Sequence, residues 1–175
     1  ILGAAGNRVW RVKNQGLEPI STNAAPFDLS RLFVHSETLY VQGSARLTFI
    51  EGGRYGGNDM YDFRADHGWD WGDLPSPTTR DALSIGSRIV IATDRGLGIV
   101  RGMSMQSVRG AQGLPYEDLT CLARGFTNDL WIGTSRGAIR NVGHDYHYFR
   151  GPRWLPGERV SPEAERFSRL AGGGL

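Results

Sequence analysis

Two stretches of this chain are near copies of each other. Ile89-Val90-Ile91-Ala92-Thr93-Asp94-Arg95-Gly96 aligns with Leu130-Trp131-Ile132-Gly133-Thr134-Ser135-Arg136-Gly137 at an offset of 41 residues (130 − 89 = 41). Leu114-Pro115 and Leu155-Pro156 share that offset. Self-similarity at such a period marks an architecture of stacked supersecondary units. Upstream, Leu39-Tyr40-Val41-Gln42-Gly43 fits the same apolar slot and Leu74-Pro75 the same turn slot. Asp28-Leu29-Ser30-Arg31-Leu32 matches Asp118-Leu119-Thr120-Cys121-Leu122, and Thr78 to Leu83 occupies the equivalent place with weaker identity. Gly16-Leu17-Glu18-Pro19 reads as the Gly113-Leu114-Pro115 turn carrying one extra residue.

Each unit reads as strands. Leu119 to Ala123 and Leu130 to Gly133 are short apolar or alternating runs, separated by the turn-rich stretch Gly125 to Asp129. Ala138 to Val142 and Tyr146 to Phe149 supply two more. Four short strands in about 41 residues is the size of one propeller blade, and no helical pattern or shorter period points to a solenoid. The expected fold is all-β, with three to four four-stranded antiparallel β-propeller blades. The blades occupy residues 1–160, as repeats of about 17–73, 74–113 and 114–156, and residues 1–16 form the tail of a preceding blade.

The string Gly113-Leu114-Pro115, Asp118-Leu119-Thr120-Cys121-Leu122 and Asp129-Leu130-Trp131-Ile132-Gly133-Thr134-Ser135-Arg136-Gly137 resembles the two-component regulator propeller repeat. The match is strong over residues 113–156, fair over 74–112 and weak over 17–73. The resemblance implies part of a larger ring, commonly seven-bladed, of the kind found in extracytoplasmic sensor domains and other secreted or surface proteins. No kinase or regulator segment accompanies it. In this pattern Trp131 and Ile132 fill the space between neighbouring blades, while Gly133 and Gly137 permit tight or left-handed backbone.

Three to four blades are few for a ring of four to eight, and an open arc leaves sheet faces and edges exposed. We therefore expect another protein chain to complete the propeller, or self-association, with a closed four-bladed monomer as the alternative. The repeat breaks at the C-terminus. Residues 161–175 read as a short helix with Ser161 as N-cap and Pro162 at its first turn, followed by the glycine-rich tail Gly172-Gly173-Gly174.

Composition closes off several classes. A formal net charge of +2, with 19 arginines and the single Lys13 dispersed along the chain, gives no basic arm for nucleic acid. The arginines suit an anionic ligand or reflect a GC-rich coding sequence. No apolar run approaches the roughly 18 residues of a membrane span. The lone Cys121 excludes an internal disulfide and fits a small buried apolar residue. The chain opens at Ile1 without a basic-then-apolar leader, as a processed product or an excised piece would. Neither a phosphate-binding glycine loop nor a nucleophile elbow is present.

One segment departs from the repeat. Leu39 to Leu74 spans 35 residues (74 − 39), whereas Ile89 to Leu114 spans 25 (114 − 89), and the excess falls within Glu51 to Asp73. Insertions of this kind land in loops on one propeller face, where binding residues concentrate. Tyr61, Arg64, His67, Trp69 and Trp71 are the candidate ligand-binding residues, since aromatic rings beside polar groups suit a glycan. Asp59, Asp62 and Asp66 are candidate metal ligands, and Ca²⁺ is the cofactor they would fit, although no calcium-loop spacing is present. The bland reading is a polar loop whose tryptophans pack on a neighbouring blade. A second cluster, His144-Asp145-Tyr146-His147-Tyr148-Phe149-Arg150, carries the residue types of propeller-fold polysaccharide lyases or is an outer strand of ordinary polarity. The expected function is a non-catalytic module for ligand binding or protein assembly in an extracellular or cell-surface complex. The alternative is part of a propeller-fold carbohydrate-active enzyme.

Overall fold

The computed structural model describes residues 2–5, 7–14, 16–20, 29–43, 46–51, 54–55, 61–62, 74–102 and 104–151. They form four antiparallel sheets. The first contains β1 (Leu2–Ala5), β2 (Arg8–Lys13) and β3 (Gly16–Pro19). The second runs through β4 (Leu29–His35), β5 (Thr38–Gly43), β6 (Arg46–Glu51) and β7 (Arg54–Tyr55), with β8 (Tyr61–Asp62) also paired to β6. The third comprises β9 (Thr79–Ile85), β10 (Arg88–Thr93), β11 (Gly96–Arg101) and β12 (Ser104–Val108). The fourth comprises β13 (Leu119–Arg124), β14 (Leu130–Thr134), β15 (Gly137–Val142) and β16 (Asp145–Phe149). Each sheet is a meander of strands adjacent in sequence, which is a propeller blade. In the second sheet the outermost strand is split, β7 facing one end of β6 and β8 the other.

The sheets pack in chain order, and their innermost strands pack on one another: β4 lies against β9, and β9 against β13. Alternation along each strand supplies two apolar faces, one for each neighbour. Val9 and Val41 are buried between the first and second sheets with Leu32 and Ile50 packed on them. Leu47, Ala82, Ile89 and Ile91 fill the second interface with Phe33 and Tyr40. The third is the largest, joining Leu83, Val90, Ala92 and Leu97 to Leu122, Leu130, Ile132 and Ile139.

Register makes the repeat exact at one further place. Each inner strand of the last three sheets carries an irregularity near its start, at Ser30, Arg80 and Thr120. The extra residue turns the following positions, Arg31, Asp81 and Cys121, into structural equivalents. The first sheet does not start at this point. β1 and β2 meet through Ala4↔Val9 and Ala5↔Arg8, as β14 and β15 do through Gly133↔Ala138 and Thr134↔Gly137. So β1, β2 and β3 correspond to the second, third and fourth strands of a blade. No counterpart of the innermost strand lies among the described residues.

The repeated Thr-x-x-Gly turn explains its own sequence. Thr93 and Thr134 Oγ1 donate to the carbonyls of Gly96 and Gly137, and accept from the backbone amides of Arg95 and Arg136. Gly96 and Gly137 sit at φ +131° and +148°, where a side chain would strike the carbonyls of Val108 and Phe149. Gly133 is different. It is not among the positive-φ glycines, and its place is filled by Ala92 in the third sheet and Gln42 in the second. The left-handed backbone expected at Gly133 is therefore confined to Gly137.

Trp131 and Ile132 face opposite sides of the fourth sheet. Ile132 is fully buried against the third sheet, so Trp131, one residue earlier, points the opposite way. There it packs on Phe149 in a tilted pair, ring centres 5.5 Å apart, and lies under the Arg140 guanidinium at 5.7 Å. Cys121 is buried, as expected. Among the described residues no helix is long and apolar enough to cross a membrane.

Candidate functional site

The polar groups that the fold concentrates lie along the inner strands. Asp81, 2% exposed on β9, is shared by three sheets. Its Oδ2 accepts from Arg31 Nη1 of β4 at 3.0 Å and from the Leu122 backbone N–H of β13 at 2.7 Å. Its Oδ1 accepts from the Ala82 N–H at 2.8 Å. Among the described residues β9 and β13 are paired on one side only, so alternate amides point out of the ladder, and the carboxylate takes two amides of these strands. Near the other end of the same strands, His35 Nδ1 and Ser84 Oγ share a hydrogen bond at 2.8 Å across the second interface. Thr79 Oγ1 donates to the Gly43 carbonyl at 3.0 Å, also between the second and third sheets.

Gln42 lies beside this network without joining it. It is the direct cross-strand partner of Arg31, and paired residues project to the same face, so both point at the third sheet. Gln42 is 1% exposed, and among the described residues its side-chain Nε2 and Oε1 have no hydrogen-bond partner. Its backbone carbonyl accepts from Ser30 Oγ at 3.0 Å.

A separate polar lock holds the turn between β13 and β14. Arg140 Nε donates to Asp129 Oδ2 at 2.5 Å and Thr127 Oγ1 to Oδ1 at 2.8 Å. The Arg140 hydrogen bond, chiefly, draws the Asp129 carboxyl down to about 2. The turn leaves Phe126 fully exposed at its tip.

The residues singled out from the sequence fare unevenly. Tyr61 and Asp62 form β8, opposite Leu47 and Arg46. Arg64, His67, Trp69, Trp71, Asp59 and Asp66 lie outside the described residues. Among the described residues no group of three His, Cys, Asp or Glu side chains could hold a metal ion. The second cluster does not converge. His144 is exposed in the turn before β16 and His147 is exposed on it, whereas Tyr146 and Tyr148 pack against the third interface. Burial raises the Tyr146 phenol, and Tyr148 donates its hydroxyl to the Arg136 carbonyl at 2.6 Å. The network of Arg31, His35, Asp81 and Ser84, and Gln42 beside it, were missed from the sequence. The signal was there: His35 and Gln42 stand where the third sheet has Ile85 and Ala92.

No family model matches this chain, and no curated protein matches it at a significant level. Solved structures do resemble it. One is the extracellular domain of a protein described as a hybrid two-component system from B. thetaiotaomicron: 15% identity, TM-score 0.65, covering 87% of this chain and 21% of that one. A second such domain from that organism gives 14% identity and TM-score 0.61, over 83% of this chain and 19% of that one. A virginiamycin B lyase from Staphylococcus aureus, in complex with quinupristin, gives 12% identity and TM-score 0.57, over 82% of this chain and 48% of that one. The chain thus spans about a fifth of the length of these extracellular domains and about half that of the lyase. At these identities the likeness is one of fold, and the fold is that of β-propeller blades.

Proposed function

We propose that this chain is a non-catalytic stretch of a larger extracellular propeller that binds a ligand or assembles with protein. The observation that carries the reading is the overlay of its four sheets on extracellular sensor domains at TM-scores of 0.61 to 0.65. The use of the polar groups supports it. Asp81, Arg31, His35 and Ser84 are spent on joining sheets, and the tyrosines of β16 on packing. The ligand-binding residues are those of the inserted segment, Tyr61, Arg64, His67, Trp69 and Trp71, with a glycan as the class of ligand. Strand order supports that choice: the segment leaves the outer strand β8 and returns at Leu74, ahead of the inner strand β9. In a meander blade this crossing falls at the end that carries the Thr-x-x-Gly turns. Asp59, Asp62 and Asp66 belong to the same segment and would serve Ca²⁺ if the glycan is bound through a metal.

The experiment is a glycan array followed by calorimetry, with and without Ca²⁺, on the wild type and on Trp69→Ala/Trp71→Ala. Saturable binding that the double variant lowers at least tenfold is expected. Turnover of a bound polysaccharide, seen as ultraviolet absorbance of an unsaturated product, would overturn the non-catalytic reading.

A further inference from the structure

Four of the arginines are ordered by the repeat. Arg95 and Arg136 stand at the third position of the two Thr-x-x-Gly turns, while Arg109 and Arg150 follow the outer strands β12 and β16 to the same end. Both pairs recur at an offset of 41 residues (136 − 95 and 150 − 109). The stems of Arg109 and Arg150 lie over the turn glycines. A side chain added at Gly96 would meet Arg109 Cγ at 3.2 Å, and one at Gly137 would meet Arg150 Cβ at 3.2 Å. Each of these sheets therefore carries two arginines at one turn. The turn's backbone requires its threonine and its glycine, but nothing in it requires arginine. All four arginines are exposed, and among the described residues none has a carboxylate partner. Arg136 is held without spending its donors: its guanidinium lies over the Tyr116 ring at 5.6 Å, and the Tyr148 hydroxyl donates to its backbone carbonyl at 2.6 Å. A guanidinium stacked on a ring keeps the N–H groups at its edge for another acceptor. Arg109 gives one Nη2 hydrogen bond to the Pro75 carbonyl at 2.6 Å and keeps the rest of its fork.

We propose that the ligand of this module is an acidic polysaccharide, whose carboxylates or sulfates are held by the pairs Arg95 with Arg109 and Arg136 with Arg150 at the Thr-x-x-Gly end of the third and fourth sheets. This rests on the reading of the chain as a glycan-binding module, whose inserted segment crosses between sheets at the same end, and it names the class of glycan. Guanidinium forks take carboxylate and sulfate-like oxygens bidentately. Packed sheets lie about 10 Å apart, so the two pairs are separated by about that distance. A polysaccharide with an anionic group on every sugar, or every second sugar, can place one group on each pair and span the gap with sugar. Nucleic acid fits poorly. Duplex DNA carries a charge about every 1.7 Å of its axis, and the carboxylates of Asp94, Glu117 and Asp118 stand among the arginines at this end. Those carboxylates repel a dense row of phosphates, yet accept hydrogen bonds from sugar hydroxyls.

The test is calorimetry of the wild-type chain with polygalacturonate, dextran sulfate, uncharged dextran and duplex DNA. Saturable binding of an acidic polymer is expected, weakened by added salt and absent with dextran. Whichever of the two acidic polymers binds tells a carboxylate from a sulfate ligand. Arg95→Gln/Arg136→Gln should lower that affinity at least about tenfold. Arg101→Gln/Arg124→Gln removes the same charge from the opposite end of the same sheets and should leave the affinity unchanged. All four positions are exposed, so the thermal midpoint should stay that of the wild type and show that each variant is folded. Equal weakening by the two double variants, or DNA bound as tightly as the polysaccharides, assigns the attraction to net charge and overturns the proposal. Binding of neither acidic polymer also overturns it. If neutral glycans of the array still bind, the glycan-binding reading stands without it; if no glycan binds, that reading falls as well.

Discussion

The second and third interfaces use one backbone plan and close it by different means. Between the third and fourth sheets the facing positions are Leu83, Ile85, Val90 and Ala92, and apart from the Leu122 amide on Asp81 and the exposed Arg80–Asp118 pair the contact is by dispersion and apolar burial. Between the second and third sheets the equivalent places hold Phe33, His35, Tyr40 and Gln42, with Arg31 reaching Asp81. Phe33 and Tyr40 stack at 5.5 Å, and burial raises the Tyr40 phenol. Polar bridges fix which sheet follows which and at what height, since Arg31 and His35 find partners only in one register. They do so at a cost in desolvation that an apolar junction avoids.

That contrast can be broken at either interface. Ile132→Ala opens a cavity at a fully buried position of the apolar junction and should cost about 4 kcal/mol in urea or guanidinium unfolding. A loss under about 1 kcal/mol would mean that this interface is not the main store of stability. Asp81→Ala leaves Arg31 and the Leu122 amide without their acceptor and should cost about 3 kcal/mol. If the variant unfolds at the wild-type denaturant midpoint, the carboxylate does not join the sheets in solution. Gln42→Leu should act in the opposite sense, raising stability by about 1 to 2 kcal/mol, because it removes two buried polar atoms that have no partner among the described residues. A destabilised variant would show that the amide is satisfied in solution.

Asp129 offers a control outside both interfaces. Its folded pKa is depressed to about 2 from 3.8, so its contribution is complete above about pH 4 and is lost as pH falls toward 2. Asp129→Asn should remove that part of the acid slope while leaving the Asp81 effect intact. An unchanged acid profile would assign the slope to other carboxylates.

Legibility in the sequence followed from what repetition can and cannot transmit. The strands of the third and fourth sheets were readable because Ile89–Gly96 and Leu130–Gly137 share a pattern that the backbone itself demands, down to the threonine and glycine of the turn. Which of the two alternating faces meets the preceding sheet was not legible, and it is that of Ile132, not of Trp131. The inner-strand network was invisible to the period because it consists of departures from it. Arg31, Asp81 and Cys121 hold one place in the repeat, as the alignment of Asp28–Leu32 with Asp118–Leu122 shows, yet are three different side chains. The constant offset of 41 pairs Asp81 with Leu122 instead, because the turn before β14 is one residue longer in register than that before β10. For the inserted segment, only Tyr61 and Asp62 of the candidates fall among the described residues, so the proposal of a site there rests on the sequence.

The shared carboxylate also bears on how such an array comes apart. A row of repeats in which each touches only its neighbours unfolds like a one-dimensional chain, with terminal units fraying independently of those two places away. Asp81 violates that locality, because one side chain binds Arg31 of the unit before and the Leu122 amide of the unit after. Loss of the second sheet therefore alters the hydrogen bonding of the fourth without touching it. The three units are coupled beyond nearest neighbours, and their melting is correspondingly more collective than a count of pairwise interfaces would give.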